Sequence, residues 1–220
     1  MDNPSKITEG GVEYSLGKFD GKSIFYDFPK ILIYLNAKGK LLFGEKFRIY
    51  DEDRDILLKL CSYFIKDKSN CEAYGIDIDK GILLSGPVGC GKTSLMKLLR
   101  HIVPMQRPYE MIPCRNVTFS FNHLGFKTVE EYGSTKFYCF DDLGIEPAGR
   151  FYGKDLNVMG EVLLSRYELY LDTKHKIKTH ATTNLNAEEL EERYGNRVRS
   201  RMGELFNLIA FDTKAGDKRK

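Results

Sequence analysis

The sequence contains no apolar run approaching the length of a membrane-spanning helix. Its start, Met1 to Gly11, is polar where a secretory signal would be hydrophobic. A cytoplasmic protein with no membrane partner is therefore expected. Cysteine is sparse: Cys61, Cys71, Cys90, Cys114 and Cys139 are odd in number, widely spaced and never arranged as CxxC. That pattern speaks against a disulfide framework or a zinc site and for a reducing compartment. His101, His123, His175 and His180 are scattered, none at metal-ligating spacing from a cysteine or acid. A large charge excess is missing as well. The formal net charge of +3 is too small to establish a nucleic-acid partner. Internal repeats and low-complexity blocks are absent. The 220 residues leave room for one substantial α/β domain and a short appendage.

What is present is concentrated in "GILLSGPVGCGKTSLMKLLR", Gly81 to Arg100. Ile82, Leu83 and Leu84 form a short apolar run suited to a strand buried on both faces of a parallel sheet. From Thr93 onward, Leu95, Met96, Leu98 and Leu99 recur at helical spacing. Between the two lies Gly86 to Thr93, a match to G-x-x-x-x-G-K-[ST]. Glycines let successive N–H groups converge on an anion, and the helix that follows directs its positive end at the same point. Gly86, Val88, Gly89, Cys90, Gly91, Lys92, Thr93 and Ser94 are the candidate nucleotide-binding residues. Lys92 is expected at the β/γ-phosphates of ATP and the Thr93 hydroxyl on Mg²⁺. Cys90 reads as a small filler in the loop.

Along the rest of the chain, residues 1 to about 22 are polar and glycine-punctuated and are expected to be mobile. Ile24 to Tyr50 is rich in aromatic and aliphatic residues, with Lys38-Gly39-Lys40 reading as a turn, so residues 1–50 form a small element able to pack on the core or meet a partner. Ile56, Leu57, Leu60 and Phe64 mark a helix over 53–65, with Asp51 and Asp53 as caps. The domain proper is expected over 51–212. Strands are placed near 81–85, 111–118, 136–141, 177–183 and 206–212. Helices fall near 92–103, 120–132, 156–173, 186–193 and 195–202. This alternation signals a five-stranded parallel sheet in a three-layer α/β core. Residues 213–220 form a basic tail, expected to be disordered and solvated. Lys174, His175, Lys176 and Lys178 form a basic connector that suits either solvent or a phosphate backbone.

"KFYCFDDLG", Lys136 to Gly144, is an aromatic strand ending in two aspartates. Asp141 at the strand tip suits the metal bound with the phosphates, and Asp142 suits orientation or deprotonation of an attacking water. Forty-nine positions separate Lys92 from Asp141, so one strand should lie between the two motif strands in sequence and in sheet. Arg197 and Arg201, four apart, share one helix face and could pair with Glu191, Glu192 or Glu204.

"GPVGCGKT", "FDDLG", "HATTNL" (His180 to Leu185) and "RYGNRVRSRM" (Arg193 to Met202) stand in this order. Together they resemble AAA+ ATPases of the DnaC/IstB type, the bacterial helicase loaders and transposition helper ATPases, over roughly residues 76–212. The resemblance implies an ATPase working in DNA replication or DNA transposition, with DNA and a replicative helicase or transposase as partners. It also implies that Asn184 is the polar sensor near the γ-phosphate. Arg201, assisted by Arg197, would be the arginine that reaches a neighbouring subunit's nucleotide, making hydrolysis slow without assembly. The chain departs from the wider class in carrying Asp142 where many relatives use glutamate, and in showing no helical lid after the last strand. Those departures keep open an ATP-gated interaction protein with little or no hydrolysis. A nucleoside or nucleotide kinase fits less well, because 144–155 offers only Arg150 as a lid cation.

Overall fold

The computed structural model describes residues 3–106, 108–172 and 176–219. It divides into two compact units: residues 1–76 with 94–107, and residues 77–93 with 108–220. One of the three chain crossings between the units falls inside a helix, at Thr93–Ser94.

The first unit opens with two antiparallel hairpins, β1 (Lys6–Glu9) with β2 (Val12–Ser15) and β3 (Gly17–Phe19) with β4 (Ile24–Tyr26). Gly10 and Gly11, read as punctuation, supply the positive φ of a tight hairpin turn. Helix α1 (Phe28–Phe43) follows, capped by Asp27, whose side chain accepts the Lys30 N–H. Lys38-Gly39-Lys40 lies within this helix and is not a turn. Gly39 is there for close approach: the Phe47 ring occupies the space a Cβ would need. The helix ends instead at Gly44, with φ of 97°. Lys38 and the Tyr34 hydroxyl both donate to Glu9 Oε1, at 2.6 and 3.4 Å, tying α1 to the first hairpin. A 3-10 turn over Asp51–Asp53 leads into α2 (Arg54–Ile65) and α3 (Lys68–Ala73). Asp53 stands at the cap position of α2 without making a side-chain capping bond.

In the second unit, β5 (Gly81–Ser85) runs through the glycine loop into α4 (Lys92–Leu99). Then come β6 (Glu110–Pro113), α5 (Cys114–Leu124), α6 (Phe126–Tyr132) and β7 (Tyr138–Asp141). A small hairpin, β8 (Gly149–Phe151) and β9 (Lys154–Leu156), precedes α7 (Val158–Asp172). β10 (Thr179–Thr183), α8 (Ala187–Leu205) and β11 (Phe206–Ala210) complete the core. The five long-range strands pair in parallel in the order β11-β5-β10-β7-β6, flanked by helices. The expected α/β P-loop sheet is what forms.

Three details differ from the sequence reading. The strand expected over 111–118 stops at Pro113, because Cys114, Val117, Thr118 and Phe121 bury one face of a helix at three- and four-residue spacing. The strand that intervenes in sequence, β6, sits at the sheet edge, while β10 lies between the two motif strands. The two helices expected over 186–202 form one unit broken at Gly195, whose φ of 79° lies outside the helical range. Asn186 starts it with a reciprocal capping box to Glu189.

The apolar core of this unit gathers Leu83, Phe121, Tyr138, Phe140, Val162 and Met202. Within it lies a residue the hydropathy pattern hid. Arg166 is wholly buried on α7. Its guanidinium donates to Thr179 Oγ1 at 2.8 Å and to the carbonyls of Ser134, Lys136 and Lys178. Burial pushes its pKa down to about 10, so it stays charged at neutral pH, and its hydrogen bonds tie the starts of β7 and β10 together.

Candidate functional site

The C-terminal tips of β5, β10 and β7 lie side by side, and each delivers one part of a polar cluster. From β5 comes the glycine loop. Gly86, Gly89 and Gly91 all have positive φ, at 157°, 84° and 104°. Val88 is exposed and Cys90 is buried, as its reading as filler suggests. Lys92 is 5% exposed, and its ammonium donates to the carbonyls of Gly86 and Pro87 at 2.7 and 2.8 Å. A third bond, 2.5 Å, goes to Asn184 Oδ1 just past β10. Burial lowers the Lys92 pKa, opposed by Cys90 and the Asp142 and Asp141 carboxylates. Ser94 follows Thr93 in the first turn of α4, half-buried.

From β7 come the two aspartates. The Thr93 hydroxyl donates to Asp141 at 2.9 Å, joining the first turn of α4 to the strand tip. Thr182 makes the second link, and the sequence reading missed it. Its hydroxyl donates to Asp141 Oδ1 at 2.6 Å and accepts the Asp142 N–H at 3.0 Å. The signal was available in "HATTN", since a polar residue in a wholly buried strand needs a partner. Asp142 turns out of the strand with φ of 58°, a left-handed conformation that an aspartate tolerates better than most residues. Its pKa is raised by burial and then by Asp141, with Lys92 and Arg115 opposing.

The turn after Asp142 is held by a second missed residue. Glu146 has a buried side chain that accepts the Gly144 N–H at 2.8 Å and the Tyr194 hydroxyl at 2.7 Å. Arg193 pairs with the same carboxylate. Thus α8 is fastened to the segment that follows the aspartates. The two arginines further along α8 stand apart from the cluster. Arg201 donates to Glu204 at 3.0 Å and to the Tyr167 hydroxyl at 3.2 Å, with its guanidinium 4.6 Å above the Tyr167 ring. Of the pairings open from sequence, Glu204 is the one formed. Arg197 is exposed on the same helix.

The cluster fits a nucleotide phosphate with its metal. The glycine loop wraps the Lys92 ammonium with the Gly86 and Pro87 carbonyls, and the open face of Gly91 meets nothing nearer than a lysine methylene at 3.8 Å. Among the described residues no group of three or more His, Cys, Asp or Glu could hold a metal alone. The Thr93–Asp141 pair would therefore complete a Mg²⁺ shell with phosphate oxygens and water. In the basic connector, Lys178 donates to the Ile78 carbonyl and Lys176 stands over the Tyr170 ring, while Lys174 and His175 lie outside the described residues.

No family model and no curated protein sequence matches the chain. Solved structures do. The DnaC helicase loader superposes with a TM-score of 0.53 at 17% identity, over 76% of this chain and 95% of that one. A candidate primosome component from Streptococcus pyogenes serotype M3 gives 0.52 at 15% identity, over 76% and 83%. The α/β fold is similar to that of the DnaC helicase loader. In this fold the glycine loop, the two aspartates and Asn184 meet at the C-terminal ends of three interior strands, although they lie up to 98 positions apart in sequence. No helix among the described residues is long and apolar enough to cross a membrane.

Proposed function

We propose that the chain is a DnaC/IstB-like ATPase that binds ATP with Mg²⁺, assembles side by side on DNA or on a helicase, and hydrolyses ATP slowly. Its setting would be the cytoplasm, in helicase loading for DNA replication or in DNA transposition with a transposase. The observation that carries the reading is the convergence of Lys92, Asn184, Thr93, Thr182 and the two aspartates on three adjacent strand tips. The loop amides and Lys92 hold the phosphates, Lys92 exchanging its carbonyl partners for phosphate oxygens. Thr93 and Asp141 hold the metal, which when bound draws charge from the phosphates. Asn184 orients the terminal phosphate or the water. Asp142 takes the water's proton, a task helped by its raised pKa.

Arg201 reaches the nucleotide of a neighbouring copy, leaving Tyr167 and Glu204 to do so, with Arg197 in support. An arginine that must break local bonds makes turnover depend on assembly. The test is ATP turnover with and without DNA. Lys92→Ala is expected to lose nucleotide binding. Arg201→Ala should keep binding and lose about 10³-fold or more of turnover under assembling conditions. Normal hydrolysis by Arg201→Ala in an assembled state removes the trans role.

A further inference from the structure

Past the last strand the chain does not leave the fold. The Phe211 N–H donates to the Ser85 carbonyl at 2.8 Å, and the Phe211 side chain fills the space beside Gly86. Asp212 then caps a turn, accepting the Lys214 N–H at 2.8 Å on its side chain and the Ala215 N–H at 3.0 Å on its carbonyl. The turn sends the chain back across the glycine loop. The Lys218 N–H donates to the Gly89 carbonyl at 3.1 Å. The Asp217 carboxylate lies where a Cβ on Gly89 would stand. Lys218 runs its methylenes beside Gly91 and carries its ammonium 5.2 Å from the centre of the Phe211 ring. Arg219 is held by Asp217 through two bonds of 2.9 and 3.0 Å.

Two features decide what this strap does. Its main-chain bond consumes a loop carbonyl and no loop N–H. It also brings a second ammonium to the loop that already carries Lys92. A triphosphate draws positive charge beyond what one lysine supplies. From this geometry we infer that Lys218 is a phosphate-binding residue and that the C-terminal strap, Asp212 to Arg219, closes over the nucleotide site. The Lys218 N–H latches the strap on the Gly89 carbonyl, and Asp217 keeps Arg219 aligned beside it.

The inference rests on the nucleotide reading, and calorimetry on the full chain separates the two. Lys218→Ala should weaken Mg-ATP binding about tenfold, Mg-ADP less, and adenosine not at all, with an unchanged melting temperature. Lys218→Arg should restore most of the loss. Wild-type binding of Mg-ATP with an unchanged Lys218→Ala overturns this inference alone. A chain ended at Asp212 that binds Mg-ATP more tightly than wild type overturns it in favour of a blocking strap. A wild-type chain that binds no Mg-ATP overturns the nucleotide reading and this inference together.

Discussion

Thr182 shows how much one hydroxyl can carry. It satisfies the Asp142 amide and an Asp141 oxygen at once, so it sets the relative positions of both aspartates. Thr182→Val keeps the shape and removes both bonds. It is expected to cost about 1–3 kcal/mol in urea denaturation, since a buried amide and carboxylate lose their partner. It should also raise the Mg²⁺ concentration needed for half-maximal turnover. Asp142 can be examined by Asp142→Asn, which keeps size and hydrogen bonding but cannot take a proton. Turnover should fall about 10²–10⁴-fold with Mg-ATP affinity retained. If the wild-type rate is already negligible and Asp142→Asn leaves it so, an ATP-gated interaction protein is the better description. Lys92, Thr93 and the aspartates were legible because their spacing along the chain is itself the motif. Thr182 and Glu146 were not, because their partners lie 40 or more residues away, as for Asp142 and Tyr194.

Among the elements, periodicity located most helices and failed where one residue type serves two ends. Glycine was read as a turn at Gly39, yet there it lets the Phe47 ring approach the α1 backbone. Gly39→Ala should therefore lose about 1–2 kcal/mol, the clash exceeding the gain in helix propensity. In a Phe47→Ala background the same change should stabilise by up to about 1 kcal/mol, and this reversal of sign is the check by thermal unfolding. Beyond Pro113 the strand expected to 118 gave way to a helix, because burial falls at helical spacing there. At Gly195 the break in α8 separates the part fastened through Arg193 and Tyr194 to Glu146 from the part bearing Arg197 and Arg201.

At the scale of the whole molecule, stability should carry the mark of one histidine in the middle of the sheet. His180 on β10 accepts the Ile82 N–H on Nδ1 at 3.1 Å and lies 4.9 Å from the Tyr109 ring. Burial, with Lys178 and Arg166 nearby, pushes its pKa down to about 3. The unfolded chain, with an ordinary histidine near 6.5, takes up the proton first as pH falls. Stability from this group is therefore complete above about pH 6.5 and declines as pH drops toward 3. Urea titrations between about pH 6.5 and 4.5, above most carboxylate titration, should show the decline, and His180→Asn should flatten it. The sequence by itself determined the phosphate loop, the aspartate pair and the alternation of strand and helix, because each is written in local spacing and hydropathy. Only the tertiary structure decided that β10 enters between the two motif strands, that Thr182 and Glu146 brace the aspartates, and that the last residues cross the glycine loop. Those depend on pairings between distant segments, and parallel strand order leaves no trace in any short stretch of chain.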